Sequence, residues 1–282
     1  MSVIAVIFDF DDTLAPDSTS QLLDAHGIDA IEMWATTAPR LVAAGYDPPL
    51  AYLNCLLDWV GPDRPLGPLT NTDLAAFGAH LDPTFFPGLP ALFDDLRDRA
   101  ARARDVTIEF FIVSSGLYEV IAGSGVVRDH FDAVYASHLG EGDNNMLTDV
   151  KRCVTFTEKT RFLFEINKGV PAADAATRPH LVNRDVPDDQ RRVPFENMIY
   201  VGDGVTDIPC FSLVGANGGT CFGVFDPTDA TSARRAFQEF LRAGRVASTH
   251  APRYRPDDEL GALLRAAVDA TIARIELRRA QP

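Results

Sequence analysis

Short apolar runs recur along the chain, separated by amphipathic stretches and turn residues. Residues 3–8, 108–113, 133–136, 198–202 and 220–225 are nearly continuously apolar and rich in β-branched and aromatic side chains. That pattern belongs to strands covered on both faces of a parallel sheet. Helical periodicity lies between most of them. Leu89, Leu92, Phe93 and Leu96 fall at i, i+3, i+4 and i+7 before the second run; residues 117–121 follow it; residues 208–214 follow the fourth, with Gly215 as the expected C-cap. Alternating β and α patterns predict an α/β fold, a doubly wound, Rossmann-like parallel sheet.

The stretch between the first strand and the helix at Leu89 contains no strand pattern. Leu53, Leu56, Leu57 and Val60 form one apolar helical face, and Leu74, Phe77 and Leu81 another, with Thr70, Asn71 or Thr72 as N-cap. Gly27, Gly45 and Gly61 stand where helices could stop. A connection this long is a folded insert, not a loop. The expected division is a core of residues 1–14 and 89–282 and a helical cap of residues 15–88. Further on, the turn cluster at 141–145 predicts a hairpin, and the proline-rich stretch 170–194 reads as a surface loop. A C-terminal helix is expected, capped by Asp257, with Leu260, Leu264, Val268 and Ile272 on one face.

Apolar residues make up 46% of the 282, enough for a sizeable core, and the net charge of −14 argues against a nucleic-acid partner. Cys55, Cys153, Cys210 and Cys221 are scattered, without zinc-ligand spacing. No apolar run is long enough to cross a bilayer and no secretory signal is visible. The expectation is a cytoplasmic protein with no membrane partner.

Chemistry-bearing residues gather at the ends of the predicted strands. Asp9-Phe10-Asp11-Asp12-Thr13 follows the first. Asp9 and Asp11, two apart on extended backbone, point into one volume, and their repulsion calls for a cation or a shared proton. Ser114-Ser115-Gly116 follows the second strand and reads as a turn opening a helix, with hydroxyls and N–H groups to offer a phosphate. Lys159 follows the hairpin, with Lys151 and Lys168 as competitors. Gly202-Asp203-Gly204-Val205-Thr206-Asp207 follows the fourth strand. Ligand sites of parallel sheets lie at the carboxyl ends of strands, where all four pieces sit.

This order resembles the haloacid dehalogenase superfamily: Asp-x-Asp-x-Thr (Asp9 to Thr13), a hydrophobic strand ending in Ser (Ser114), a lysine (Lys159), and Gly-Asp-x-x-x-Asp (Gly202 to Asp207). The insert position and the Val-Ser-Ser-Gly segment look most like the phosphoserine-phosphatase-like branch. Asp12 and Ser115 nevertheless replace that enzyme's usual Ser and Gly. The resemblance implies a phosphatase that hydrolyses a small phosphorylated metabolite through an aspartyl-phosphate. Asp9 would be the nucleophile and Asp11 the general acid. Mg²⁺ would be held by Asp9, the Asp11 carbonyl and Asp203, with Asp207 supporting the metal's waters or the lysine. Ser114, Ser115 and Lys159 would bind phosphate oxygens. A phosphomutase or phosphotransferase of the same superfamily, or a receiver-like phospho-acceptor, are the alternatives. Only Arg40 and Arg64 are cationic between residues 15 and 86, so a leaving group without a second negative charge is expected.

Overall fold

The structure, a computed structural model, describes residues 1–280. Seven strands, β1 (Ser2–Phe8), β2 (Val106–Leu117), β3 (Ala133–Glu141), β4 (Leu147–Arg152), β5 (Met198–Gly202), β6 (Thr220–Val224) and β7 (Ser248–His250), form one sheet in the order β4-β3-β2-β1-β5-β6-β7. All neighbours are parallel except the β3–β4 hairpin.

The helices are α1 (Ser18–Ala25), α2 (Ala30–Glu32), α3 (Ala38–Ala43), α4 (Pro48–Asp58), α5 (Asn71–Gly78), α6 (Ala91–Ala101), α7 (Tyr118–Gly123), α8 (Gly125–His130), α9 (Phe156–Lys168), α10 (Ala172–Thr177), α11 (Ile208–Ala216), α12 (Ala230–Arg235) and α13 (Glu259–Ala280). A π-helical turn, Met33–Thr37, joins α2 to α3. Strand residues alternate between two apolar layers. Ile4, Val6, Phe8, Phe110 and Ile112 face one side with Leu92 and Phe93 of α6 and Leu264 and Val268 of α13. Val3, Ala5, Ile7, Phe111 and Val113 face the other with Phe162 and Leu163 of α9 and Phe211 of α11. Burial on both faces is why the strands read as unbroken apolar runs.

Several local expectations are corrected. Ser114, Ser115 and Gly116 lie inside β2, past a register irregularity between Val113 and Leu117, and the helix starts only at Tyr118. Gly215 lies within α11, which is capped by Asn217. Helix α13 begins at Glu259, so the residue that precedes it is Asp258; its carboxylate accepts from the Arg255 N–H, and Asp257 is one position too early. The stretch 170–194 is not a bare loop: it holds α10 and short 3₁₀ turns at Pro179–Asn183 and Asp188–Gln190. Among the three cap candidates at α5 it is Thr70 that acts, in a reciprocal pair with Asp73.

Helices α1 to α5 occupy the expected insert, but their apolar side chains are continuous with the sheet. Leu53, Leu56, Leu69 and Leu74 belong to the same buried cluster as Ile4 and Phe8. The hairpin reaches over to them: the Asn71 N–H donates to Glu141 Oε1 at 2.7 Å and the Leu147 N–H to the Leu69 carbonyl at 3.0 Å. The insert's two linkers touch. The Phe86 N–H donates to the Leu14 carbonyl at 2.9 Å, the Tyr254 N–H to the Pro87 carbonyl at 2.7 Å, and the Tyr254 hydroxyl to the Thr13 carbonyl at 2.6 Å. Among the described residues no helix is long and apolar enough to cross a membrane.

Candidate active site

Asp9 leaves the C-terminal end of β1, its own N–H donating to the Val201 carbonyl of neighbouring β5 at 2.9 Å. Asp9 as a whole is 6% exposed. Its Oδ1 accepts from the Phe10 N–H at 2.7 Å and its Oδ2 from Lys159 Nζ at 2.9 Å. Lys159, in the first turn of α9, is fully buried and also donates to Asp207 Oδ1 at 2.7 Å. Lys151 is exposed on β4, and Lys168 donates to the carbonyls of Val182 and Arg184, so neither competes for the site.

Asp207 is closed off by partners. Oδ1 takes a second bond from the Tyr200 hydroxyl at 2.8 Å, and Oδ2 accepts from the Gly204 N–H at 3.0 Å. Gly202 makes room for it, since a Cβ there would overlap the Asp207 carboxylate. Burial disfavours the Lys159 charge, but Asp207 and Asp9 outweigh it and hold the ammonium above its ordinary pKa. Burial raises Asp9, Lys159 pulls it back and Asp207 pushes it up again, leaving it at about 6.

Asp9, Asp203 and Asp207 offer carboxylate oxygens that all lie within 4.8 Å of one another. Among the described residues Asp203 has one ion-pair partner, Arg235, at 3.8 Å. Burial, then the Asp9 and Asp207 charges, push it well above the usual carboxylate range. Three carboxylates, two of them buried and Asp203 partly so, stand near one buried lysine, and an oxygen-only donor set fits a hard divalent cation such as Mg²⁺. The Asp11 carboxylate is not in this group. Its Oδ1 accepts from the Ser18 N–H at the start of α1 at 2.7 Å. Burial first, then the charge of Asp17, push its carboxyl well up. A Cβ at Gly116 would stand 2.5 Å from Asp11 Oδ2 and 3.3 Å from Ser114 Oγ, so glycine there keeps the acid in place.

Ser114 Oγ accepts from the Gly116 N–H at 3.1 Å. Ser115 Oγ and Thr13 Oγ1 are buried without a partner. The Ser115 carbonyl collects two hydroxyls, Tyr52 of α4 at 2.5 Å and Ser137 of β3 at 2.9 Å. Tyr52 and Tyr200 escaped the sequence reading because each sits in an apolar pattern and reads as packing. Their hydroxyls are what distinguish them, and a buried tyrosine normally finds a partner for its O–H.

No known protein-family profile matches the chain. A protein of Borreliella burgdorferi, described as uncharacterised, is 30% identical over 236 residues, which cover 76% of this chain and 79% of that one. A HAD family hydrolase of Salmonella enterica serovar Typhi is similar in structure with a TM-score of 0.55 at 16% identity. That match covers 87% of this chain and 66% of the hydrolase, so the chain spans just under two thirds of that structure. A probable phosphoserine phosphatase of Vibrio cholerae gives a TM-score of 0.53 at 14% identity, covering 97% of this chain and 67% of that one. The chain thus belongs to one family with the Borreliella protein and has the fold of the haloacid dehalogenase superfamily.

Proposed function

We propose that the protein is a Mg²⁺-dependent phosphatase that hydrolyses a small phosphorylated metabolite through an aspartyl-phosphate on Asp9. The observation that carries this reading is the contrast between two aspartates two residues apart. Asp9 is bonded to the buried Lys159 ammonium, which favours its anion. No cation stands among the groups that set the Asp11 carboxyl, which favours its protonated form. A fixed anion beside a proton donor is what nucleophilic displacement at phosphorus needs.

In the first step an Asp9 oxygen attacks phosphorus, the bond to the leaving oxygen breaks, and the Asp11 proton goes to that oxygen. In the second, Asp11 takes a proton from water as the water attacks phosphorus. The phosphorus–Asp9 bond breaks, releasing phosphate. Lys159, Ser114 and Ser115 hold the phosphoryl oxygens. Asp207, with both oxygens already occupied by Lys159, Tyr200 and Gly204, fixes the lysine. Asp9 and Asp203 would hold Mg²⁺ with the Asp11 carbonyl. The bound cation screens the repulsion between carboxylate and phosphate. Helices α1 to α5 act as the cap that shields these steps from bulk water. Four free cysteines, three of them buried, suit a cytoplasmic location.

The test is Mg²⁺-dependent release of inorganic phosphate from p-nitrophenyl phosphate by the purified chain, abolished by EDTA and restored by Mg²⁺. Undiminished turnover in excess chelator overturns the metal assignment. Transfer to a second hydroxyl in place of water would mark a phosphomutase or phosphotransferase, and a stable phospho-protein without release would mark a receiver-like acceptor.

A further inference from the structure

Asp11 faces the insert, and the insert presents no cation there. Arg64 is exposed and donates to the Asp58 carbonyl, and Arg40 is exposed on α3. Asp17 and Tyr52 stand near Asp11, and Trp34 lies beside both of them. Asp17 caps α1, accepting from the Ser20 N–H at 2.5 Å, and directly precedes Ser18, whose N–H holds Asp11. Burial pushes the Asp17 carboxyl up, and no cationic side chain is among the groups that offset it. Tyr52 is 6% exposed, and its hydroxyl is fixed on the Ser115 carbonyl beside Gly116, the residue in contact with Asp11. The Trp34 ring lies against it, centroids 5.5 Å apart at 47°. The indole N–H donates to Ser20 Oγ at 2.9 Å, which orients the ring, yet the residue remains 39% exposed. Trp34 sits in the π-helical turn, a local irregularity found frequently at functional sites.

We infer that Trp34, Tyr52 and Asp17 form the leaving-group subsite and that it takes a cation: the substrate is the phosphate monoester of an amino alcohol, its ammonium seated on the two rings and paired with Asp17. This rests on the phosphatase reading above. Two aromatic faces and one partly buried carboxylate without a cation are complementary to an ammonium, quaternary or primary. They repel a carboxylate or a second phosphate. A zwitterionic ester also approaches a chain of net charge −14 with less repulsion than an ester that is all anion.

The experiment compares choline phosphate with its uncharged carbon isostere, 3,3-dimethylbutyl phosphate, on the full-length chain with Mg²⁺; ethanolamine phosphate and phosphoglycolate complete the panel. The expected result is a kcat/KM for choline phosphate above the isostere's by at least about tenfold, the scale of a desolvated cation–π contact. Phosphoglycolate should be the poorest. Because the readout is a ratio within each protein, it survives a general loss of activity. In Trp34→Leu and in Asp17→Asn the ratio should fall towards one. Hydrolysis of p-nitrophenyl phosphate with a choline-to-isostere ratio at or below one overturns this inference and leaves the phosphatase reading standing. If the chain turns over no ester, the phosphatase reading fails and the subsite is read by calorimetry with Asp9→Asn. Tighter binding of choline phosphate than of the isostere supports it, and equal affinity overturns it.

Discussion

The two aspartates of the first motif face halves of the site that are built differently. On the Asp9 side Asp9, Lys159 and Asp207 all have hydrogen-bond partners, and Asp203 is left with a 3.8 Å ion pair to Arg235. Lys159 bridges two carboxylates, Asp207 has three donors, and Gly202 and Gly204 bring backbone close enough to complete the arrangement. On the Asp11 side Thr13 Oγ1 has no partner and Asp17 has no cation. Phosphoryl chemistry is the same for every ester, so its half can be finished and rigid in advance. The other half meets the variable part of the substrate and is left for that substrate to complete. Satisfied polar clusters contribute stability; unsatisfied ones cost it and serve function. The comparison therefore predicts which substitutions lose rate alone and which lose rate and fold together.

Asp9→Asn should abolish turnover almost completely, and beryllium fluoride should trap its adduct on Asp9 in the unmodified chain. An adduct on Asp11 or Asp203 would overturn the assignment. Asp11→Asn should slow kcat by about 10²–10⁴ while leaving the thermal midpoint unchanged or raised, because it removes a partly buried carboxyl that no cation supports. A clear drop in melting temperature would erase the distinction between the halves. Lys159→Met should do the opposite on stability. It strands two buried carboxylates and should cost about 3–5 kcal/mol in denaturant unfolding, as well as about 10²–10³ in rate. Tyr200→Phe sharpens the same point, since it touches nothing that reacts. It should cost about 0.5–1.5 kcal/mol, with a small fall in kcat through the loosened Asp207. The smallest effect lies remote from both halves, where Asp95 of α6 pairs with the nearly buried Arg265 of α13. Burial works against the Asp95 charge, but the Arg265 guanidinium prevails and holds the carboxyl below its ordinary value. A pKa lowered on folding stabilises above the unfolded value, about pH 4 for Asp, and is lost as pH falls through the folded value. The gap in melting temperature between the parent and Asp95→Asn should thus narrow only below about pH 4.

Strands β1, β2, β3, β5 and β6 were legible as apolar runs, whereas β4 and β7, which are partly polar and not fully buried, gave no such run; Asp9 and Asp203 were legible because their charges follow apolar strands. The bulged extension of β2 was not legible. Ser114-Ser115-Gly116 carries helix-opening chemistry, yet the strand resumes beyond it where Leu117 pairs with Ser137 of β3, and the Tyr52 and Ser137 hydroxyls hold the Ser115 carbonyl. Asp257 and Asp258 are equivalent as sequence; the backbone chooses between them. The helical insert could be outlined from Leu53, Leu56, Leu74 and Phe77, but its merger with the sheet's buried layer is a long-range matter that local periodicity does not contain. Tyr52 and Tyr200 show the same limit from the other side. A tyrosine in an apolar run is counted as packing until a third residue, distant in sequence, claims its hydroxyl.

The contact between Leu14 and Phe86 has an evolutionary consequence. Because the insert leaves and rejoins the core across a single hydrogen bond, and Tyr254 fastens both linkers from the far end of the chain, the core sees the same short gap whatever is spliced into it. Loop length changes the closure entropy only slowly, so an insert of another size can be joined at this junction while β1, which delivers Asp9, and α9, which carries Lys159, keep their places. Such a scaffold can acquire a new substrate by changing one module, provided the new insert again supplies an N–H to Asp11 and an apolar face to the sheet.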